Sequence, residues 1–266
     1  MTSDPFVEFK SRQREGWAYF APLEVYTTPP AAHLVRFAGV RPGQTVLDVA
    51  TGTGVVAITA RRGGAVVTGL DLTPELLERA RKHAVLADVN DITWREGDVE
   101  SLPFADGSFD VVLSQFGHMF APRPEVATHE MLRVLKSGGR LAFATWPPEH
   151  FIGKMFSLVG KYVPPPTGVA PTPEWGDLAV IRERLGRGVR DIFFERGVMV
   201  FPALSPQHYR DTIEKTSGPL VKLVQRLQDD REKLDAFRKE LEALVVPYLA
   251  DNVVQHDYLL TRAIRV

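Results

Sequence analysis

Short apolar segments alternate with helical patterns between residues 46 and 145, and this alternation restricts the fold more than any other feature of the sequence. Apolar strands of four to six residues that alternate with helices are typical of βαβ units, whose parallel sheet is buried on both faces. Such sheets bind ligands at the carboxyl ends of their strands. The pattern predicts strands at 46–50, 65–70, 92–95, 109–114 and 140–145, helices at 55–62, 74–87 and 124–135, and a tight turn at 136–139.

The segments on either side of this core differ from it in character. Residues 1–40 predict a helical segment that covers the ligand site, and residues 41–146 form the binding core. Residues 147–250 combine many prolines and aromatic residues with apolar residues at helical spacing, which predicts a variable lid with helices and one core strand. Residues 251–266 alternate in polarity and predict a C-terminal edge strand that completes the sheet.

Composition excludes several classes of protein. The 266 residues include 32 basic and 33 acidic side chains, so we predict neither nucleic acid nor an anionic membrane as a partner. The absence of cysteine excludes disulfides, thiolate catalysis and cysteine-ligated metals, and we predict no metal site. The charged N-terminus lacks a signal-like apolar core, and no segment has the about 20 apolar residues that a membrane span needs. We predict a cytoplasmic protein, and both a monomer and a homodimer are compatible with the sequence.

The stretch "VLDVATGTGVVAITA" at residues 46–60 contains the most specific motif. Its residues 52–57 fit the pattern G-x-G-x-x-G/A of a dinucleotide-binding turn, which also occurs by chance in plain strand-to-helix turns. Asp48 lies four residues before the first glycine. Because a carboxylate repels a pyrophosphate and attracts a cation, this position favours a positively charged ligand over a dinucleotide.

Acidic residues also follow the next two predicted strands. Asp71 lies 19 residues after Gly52, the distance at which a carboxylate accepts hydrogen bonds from the hydroxyls of a ribose. Asp98 follows the third strand and could accept a hydrogen bond from the amine of a base. Taken singly, each residue could equally be a turn or helix-capping aspartate. Together, the three carboxylates suit a ligand with an amino acid, a ribose and an adenine, which predicts S-adenosyl-L-methionine as the cofactor.

Residues 46–146 resemble the class I S-adenosylmethionine-dependent methyltransferases, in particular the type 11 group that includes the ubiquinone/menaquinone-biosynthesis enzymes. The resemblance implies an α/β fold with a doubly wound, Rossmann-like, seven-stranded and mostly parallel sheet, an antiparallel C-terminal strand and a helical lid insertion. Thr51 stands where many relatives have cysteine. The motifs that carry the resemblance are "VLDVATGTG", "GLDLTPELLERAR", "REGDVESLPFADGSFDVVLSQFG" and "EMLRVLKSGGRLAFATW".

The resemblance also implies which residues contact the cofactor. One group would surround the methionine moiety, a second would hold the ribose and flank the adenine, and a third would contact the base or line the exit of the fourth strand. In this order the residues are Asp48, Ala50, Gly52, Thr53 and Gly54; Asp71 and Leu72; and Asp98, Val99, Ser114 and Gln115.

Methyl transfer from a sulfonium needs mainly proximity and alignment, and a general base only if the acceptor must lose a proton. His118, in "SQFGHMF", is the candidate for a catalytic base, and the alternative is a histidine bonded to loop backbone. His208 and His256 lie in the C-terminal half, where a lid could bring one of them near, but neither is selected as a base.

Aromatic residues are concentrated in two stretches beside the predicted site. Trp17, Tyr19 and Tyr26 could fold over the cofactor or could anchor the N-terminal helix. A second set near the mouth of the cleft suits a small hydrophobic or planar acceptor, and it equally suits packing of the lid on the sheet. This set consists of Met119, Phe120, Trp146, Phe151, Met155, Phe156 and Tyr162.

The sequence therefore predicts a methyltransferase that acts on an O, N or C atom of a small acceptor. An NAD(P)-dependent oxidoreductase is an alternative, disfavoured by Asp48 and by the absence of a Tyr-x-x-x-Lys pair. A non-catalytic protein that binds S-adenosylmethionine is a second alternative. An RNA or protein methyltransferase is disfavoured because "SQFG" stands where an Asn/Asp-Pro-Pro-Tyr/Phe signature would be expected.

Overall fold

A central β-sheet organises the protein, for which the computed structural model describes residues 6–266. The first five residues of the predicted N-terminal segment lie outside this range. Two helices, α1 (Val7–Trp17) and α2 (Glu24–Ala38), precede the sheet. The strands are β1 (Thr45–Val49), β2 (Val66–Asp71), β3 (Thr93–Glu96), β4 (Phe109–Gln115), β5 (Leu135–Thr145), β6 (Val189–Pro202), β7 (Leu249–Ala250) and β8 (Val253–Arg265).

The strand order is β3-β2-β1-β4-β5-β8-β6, and β7 pairs with β8. Strands β1 to β5 run parallel, whereas β8 is antiparallel to both β5 and β6. Consecutive residues of β1 and β4 are buried, because helices cover both faces of the sheet. The predicted Rossmann-like class with an antiparallel C-terminal strand is confirmed.

Helices connect the strands and form a second layer beyond residue 150. The predicted start of the second of these helices at residue 74 is correct, although the side chain of the preceding Thr73 makes no capping hydrogen bond. The remaining helices are α3 (Val55–Arg62), α4 (Pro74–Leu86), α5 (Pro124–Arg133), α6 (Phe151–Tyr162), α7 (Leu178–Leu185), α8 (Pro206–Thr216), α9 (Gly218–Leu227) and α10 (Arg231–Val245). No helix within residues 6–266 has both the length and the apolar character needed to cross a membrane.

Helix α1 is joined to the second layer rather than lying apart from it. It packs against α9, where a Cβ atom added to Gly218 would lie 2.9 Å from the backbone of Gly16. This close approach needs glycine at the crossing, because any larger side chain would separate the helices. Helix α1 and the second-layer helices therefore form one wall above the sheet.

Three details differ from the sequence prediction. The predicted turn at 136–139 is a bulge inside β5, because the pairing with β4 jumps from Phe109–Leu135 to Val111–Arg140. The C-terminal strand β8 is not at the edge: it lies between β5 and β6, and β6 is the edge strand. The sheet has eight strands rather than seven, because Asp251 and Asn252, both with positive φ, form a tight hairpin between β7 and β8.

Strand order reverses between β1 and β4, which are neighbours although β2 and β3 intervene in the chain. Helices that leave two such strands in opposite directions open a crevice at the carboxyl ends. The loops after β1, β2, β3 and β4 all meet there, so the predicted ligand residues converge on one edge of the sheet.

Candidate functional site

A cavity lies at the carboxyl ends of β1, β2 and β4, under α1 and the helices of the second layer. Its two ends differ in chemistry. The part that we call the carboxylate half is lined by Asp48, Ala50, Thr51, Gly52, Thr53, Asp71, Leu72, Asp98, Val99 and Gln115. The part that we call the aromatic half is lined by Tyr26, Phe116, Phe120, Trp146, Ile152, Met155, Phe156, Met199, Phe201, Tyr209, Ile213 and His256.

The turn after β1 brings backbone close to the ligand space. Gly52 has φ +55°, and a Cβ atom added to it would meet no protein atom within 4 Å, because it would point into the cavity. Gly54 has a different role. Its Cβ would lie 2.7 Å from the Trp94 ring and 2.9 Å from Ala80, and Gly54 does not line the cavity. The first glycine thus makes room for a ligand, and the second permits packing of α3.

Ala50 adopts a positive φ of 53°, which is uncommon for a residue with a side chain. Gly117, after β4, packs against it so closely that an added Cβ would lie 2.4 Å from the Ala50 Cβ atom. Both residues line the cavity. Gly117 was not selected from the sequence, and its position directly after a strand end is the signal that would have indicated it.

Asp48 is buried at the end of β1 and is held by the turn that follows it. Its Oδ2 atom accepts hydrogen bonds from the Thr51 hydroxyl at 2.5 Å and from the Ala57 amide at 3.0 Å. Its Oδ1 atom is buried without a partner within residues 6–266. Burial raises the pKa of Asp48 to about 7, although these two hydrogen bonds oppose the rise. A cationic ligand group would supply the missing partner.

Asp71 ends β2 and connects two turns. Its Oδ2 atom accepts from the Gly52 amide at 2.7 Å, and its Oδ1 atom accepts from the Thr73 amide at 2.8 Å. Burial is the largest influence on the pKa of Asp71 and raises it above the usual value. Each oxygen has a second lone pair, so the carboxylate can also accept hydrogen bonds from a ligand while it fixes the glycine turn.

Asp98 follows β3 and is bound by the N-terminal helix. Lys10 of α1 forms ion pairs with Asp98 at 2.7 Å and with Glu100 at 2.6 Å. The Glu100 amide donates to the other Asp98 oxygen at 2.9 Å. Gln13, on the same helix, donates to the Phe120 carbonyl at 2.9 Å. Polar contacts therefore hold α1 across the carboxylate half.

The last two residues of β4 differ in their access to the cavity. Gln115 lines it; its Nε2 atom donates to the Thr27 carbonyl at 2.8 Å, and its Oε1 atom is buried without a partner within the described chain. Ser114 does not line the cavity. The Ser114 hydroxyl instead donates to the Val49 carbonyl at 2.8 Å, so this side chain connects β4 to β1.

His118 lies in a short 3-10 helix after β4 and faces the core instead of the cavity. It is fully buried, packs against Phe143 and Trp175, and does not line the cavity. Burial, with a contribution from the charge of Arg184, lowers the pKa of His118 to about 3. Because the ring does not face the ligand space, we do not propose His118 as the base.

Only some of the aromatic residues and methionines that were predicted near the site line the cavity. Trp17, Tyr26, Phe120, Trp146, Met155 and Phe156 line the cavity. Tyr19 does not line it, and neither do Met119, Phe151 and Tyr162. The inner wall contains the parallel pair Phe116–Trp146, whose centroids are 3.9 Å apart, and the stacked pair Tyr26–Phe201 at 4.0 Å.

His256 lies on β8 in the aromatic half. Its Nε2 atom lies 3.0 Å from the Tyr209 hydroxyl, and its Nδ1 atom is buried without a partner among the described residues. Burial lowers the pKa of His256 to about 3, so the ring is neutral near pH 7. His256 was considered from the sequence but not selected.

Several buried polar atoms around the cavity therefore have no hydrogen-bond partner within the described residues. The unpartnered atoms belong to Asp48, Thr53, Gln115 and His256, and all four residues line the cavity. Buried polar groups without partners are rare in native proteins and indicate a ligand or bound water. The arrangement fits an elongated ligand with a cationic or hydroxylated part in the carboxylate half and an apolar second molecule beside it.

The comparisons with known proteins agree with this arrangement. Residues 47–143 match the family model of a methyltransferase domain. The uncharacterised protein Rv1403c of Mycobacterium tuberculosis is 38% identical over 255 residues, which cover 94% of this chain and 93% of the relative. The ubiquinone/menaquinone biosynthesis C-methyltransferase UbiE of a Ruegeria species is 40% identical over 133 residues, which cover 48% of this chain and 53% of the enzyme.

A solved structure has the same fold over most of this chain. It is phosphoethanolamine N-methyltransferase 2 of Haemonchus contortus in complex with S-adenosyl-L-methionine, with a TM-score of 0.56 and 19% identity. The alignment covers 89% of this chain and 52% of the neighbour.

Proposed function

The chain belongs to the class I S-adenosylmethionine-dependent methyltransferases, and we propose that it transfers the methyl group to a small hydrophobic or aromatic acceptor held in the aromatic half. The observation that carries the proposal is the continuity of the cavity. One space joins the carboxylates at the strand ends to an apolar, largely aromatic wall. A donor in the first part and an acceptor in the second would therefore meet without crossing solvent.

The residues of the carboxylate half fit S-adenosylmethionine. Asp48, with its unpartnered oxygen, would bind the ammonium of the methionine moiety, and Gly52 leaves space beside it. Asp71 would accept from the ribose hydroxyls, and Asp98 with Val99 would border the adenine. When bound, the cofactor supplies a methyl group on a positively charged sulfur, already activated toward a nucleophile.

The contribution of the chain is position and exclusion of water. Helix α1 and the second-layer helices form part of the cavity wall, and holding two reactants in line can remove several kcal/mol of a reaction barrier. Gln115 and Gly117 line the cavity on either side of Phe116, which belongs to the aromatic half, so they would limit how the acceptor approaches. A general base is required only if the acceptor must lose a proton before or during the attack.

Calorimetric titration of the purified protein with S-adenosylmethionine, S-adenosylhomocysteine and NADH tests the cofactor. We expect binding of the first two and none of NADH, since Asp48 would repel a pyrophosphate. Binding of NADH alone would favour an oxidoreductase and overturn the proposal.

Methyl transfer itself is tested with radiolabelled S-adenosylmethionine and a panel of phenols, quinols and amines. Incorporation into one chemical class supports the proposal and identifies the acceptor atom. Tight cofactor binding without incorporation into any neutral aromatic acceptor would favour a non-catalytic binding protein.

A further inference from the structure

A buried histidine–tyrosine pair lies in the aromatic half, away from the carboxylates. The Tyr209 hydroxyl and the His256 Nε2 atom are 3.0 Å apart, and both residues line the cavity. The exposed fraction is 1% for Tyr209 and 3% for His256. Nothing in the assignment of the cofactor uses either side chain, so their polar atoms need another explanation.

The surroundings of His256 hold its ring in one orientation. Phe151 stacks on it with centroids 5.3 Å apart and an interplanar angle of 27°, and Phe201 stacks at 5.8 Å and 29°. Trp146 meets it edge-on at 6.4 Å. Because aromatic rings pack around the imidazole, it cannot turn its Nδ1 atom toward another protein group without disturbing the packing.

Both members of the pair are neutral near pH 7. Burial lowers the pKa of His256 to about 3 and raises the pKa of Tyr209 well above its usual value. A neutral imidazole has one N–H and one bare nitrogen. If Tyr209 donates to Nε2, then Nδ1 carries the proton and donates; if Nε2 donates to Tyr209, then Nδ1 accepts. The His256 Nδ1 atom can therefore either donate a hydrogen bond to a ligand hydroxyl group or accept one from it.

The charges around the cavity exclude a charged acceptor from this end. The lining residues of the aromatic half include no Asp, Glu, Lys or Arg. Lys10 is the cation among the residues that line the whole cavity, and it is paired with Asp98 and Glu100 in the other half. A phosphate, carboxylate or ammonium on the acceptor would lose its hydration here without a compensating partner.

We propose that Tyr209 and His256 recognise the hydroxyl group of a neutral aromatic acceptor, with the His256 Nδ1 atom as its hydrogen-bond partner. The inference rests on the proposed function and names the acceptor class of that site. His256 contacts the acceptor, and Tyr209 is a positioning residue that fixes the tautomer and orientation of the imidazole.

Equilibrium dialysis of the protein saturated with S-adenosylhomocysteine tests the proposal with two probes, 1-naphthol and 1-methylnaphthalene. The probes have nearly the same shape, and only the first can form a hydrogen bond. We expect the wild-type protein to bind naphthol about tenfold more tightly, the upper range for one neutral hydrogen bond in a buried site. His256→Phe should reduce this ratio to about one, and Tyr209→Phe should reduce it partly.

His118→Phe is the matched control, because His118 is also a buried histidine with both ring nitrogens unpartnered in residues 6–266 but does not line the cavity. Its ratio should equal that of the wild type. A ratio near ten in folded His256→Phe, or a ratio near one or no binding of naphthol in the wild type, overturns the proposal. Failure of the wild type to bind S-adenosylhomocysteine would instead contradict the proposed function, and the probe ratio can then be measured without it.

A second measurement covers the case in which His256→Phe does not fold. In wild-type protein labelled with ¹⁵N-histidine, the Nδ1 resonance of His256 is identified by its shift in Tyr209→Phe. Addition of naphthol should move this resonance, whereas methylnaphthalene should move it much less. Equal shifts with both probes would contradict the proposal.

Discussion

The two halves of the cavity are built in different ways. The carboxylate half comes from the ends of consecutive strands, where Asp48 and Asp71 lie at the ends of β1 and β2 and Asp98 follows β3. The aromatic half is assembled from α2, α6, β6, α8 and β8 and from the segments after β4 and β5, whose residues are far apart in the chain. We infer that the carboxylate half is defined by short stretches of sequence and suits one cofactor. The residues of the aromatic half can change independently of them, so this half can be adapted to the acceptor.

The largest effect is expected at the glycine turn. Gly52→Val should abolish binding of S-adenosylmethionine, with a loss of at least about 100-fold, because the new side chain would fill the carboxylate half. Calorimetry measures the loss. Gly43→Val is the matched control, because Gly43 also has a positive φ and open space around its Cβ but does not line the cavity. Equal loss of binding in both variants would show that backbone strain alone is responsible.

A smaller loss of S-adenosylmethionine affinity is expected from a substitution of Asp71 at the end of β2. Asp71→Asn should weaken S-adenosylmethionine binding by about 1.5 to 3 kcal/mol, roughly 10- to 150-fold, because hydrogen bonds to a charged acceptor are lost. Asp110→Asn is a suitable control: Asp110 also accepts from a backbone amide, that of Thr45, but lies outside the cavity. Unchanged affinity in Asp71→Asn would contradict the proposal that Asp71 accepts hydrogen bonds from the ribose hydroxyls.

The ionisation of Asp48 should make cofactor affinity depend on pH. Its pKa of about 7 in the free protein means that it is partly protonated at neutral pH, and Asp71 nearby adds to the rise. A cationic ligand prefers the ionised form, so affinity should fall by up to about tenfold per unit as the pH drops below 7. Calorimetry between pH 5.5 and 8.5 measures this slope. Asp48→Asn should remove it, and a slope that persists in this variant would assign it to another group.

No effect on cofactor binding is expected at His118, where the readout is stability. The pKa of His118 is lowered to about 3, so below pH 6.5 the unfolded chain binds a proton that the folded protein does not. Its contribution therefore destabilises the fold as pH falls from about 6.5 toward 3, by up to about 1.4 kcal/mol per pH unit. Urea unfolding at several pH values should show that His118→Phe loses less stability in acid than the wild type. If the stability of the two proteins depends on pH in the same way, the lowered pKa of His118 does not contribute to the loss of stability in acid, and the prediction is wrong.

Sequence reasoning selected most of the residues that line the carboxylate half, because a short motif and the strand-end positions mark them. The roles of Gly54 and Ser114 were not predictable in the same way. The family resemblance implies ligand contact for both, whereas Gly54 leaves room for the Trp94 ring and the Ser114 hydroxyl donates to the backbone of β1. Adjacent positions on a strand or turn face different ways, and only packing decides which one meets the ligand.

For the aromatic half, the sequence predicted that aromatic and apolar residues lie near the mouth of the cleft, but not how they are arranged. Its residues come together through pairing of β6 with β8 and packing of α8, which no local pattern specifies. His256 did leave a signal: it occupies an inward position of an alternating strand, between the buried Val254 and Tyr258. A polar residue where the pattern requires an apolar one is a candidate for a functional role.

The placement of β8 inside the sheet has a consequence for synthesis of the chain. Among the described strands, β6 pairs only with β8, and three helices separate the two along the chain. Until β8 is made, both edges of β6 are therefore unpaired, and three of its apolar side chains, Phe193, Val198 and Val200, are exposed even in the complete fold. Such an edge favours association with other chains. A chaperone that shields nascent β6 should therefore raise the yield of native protein.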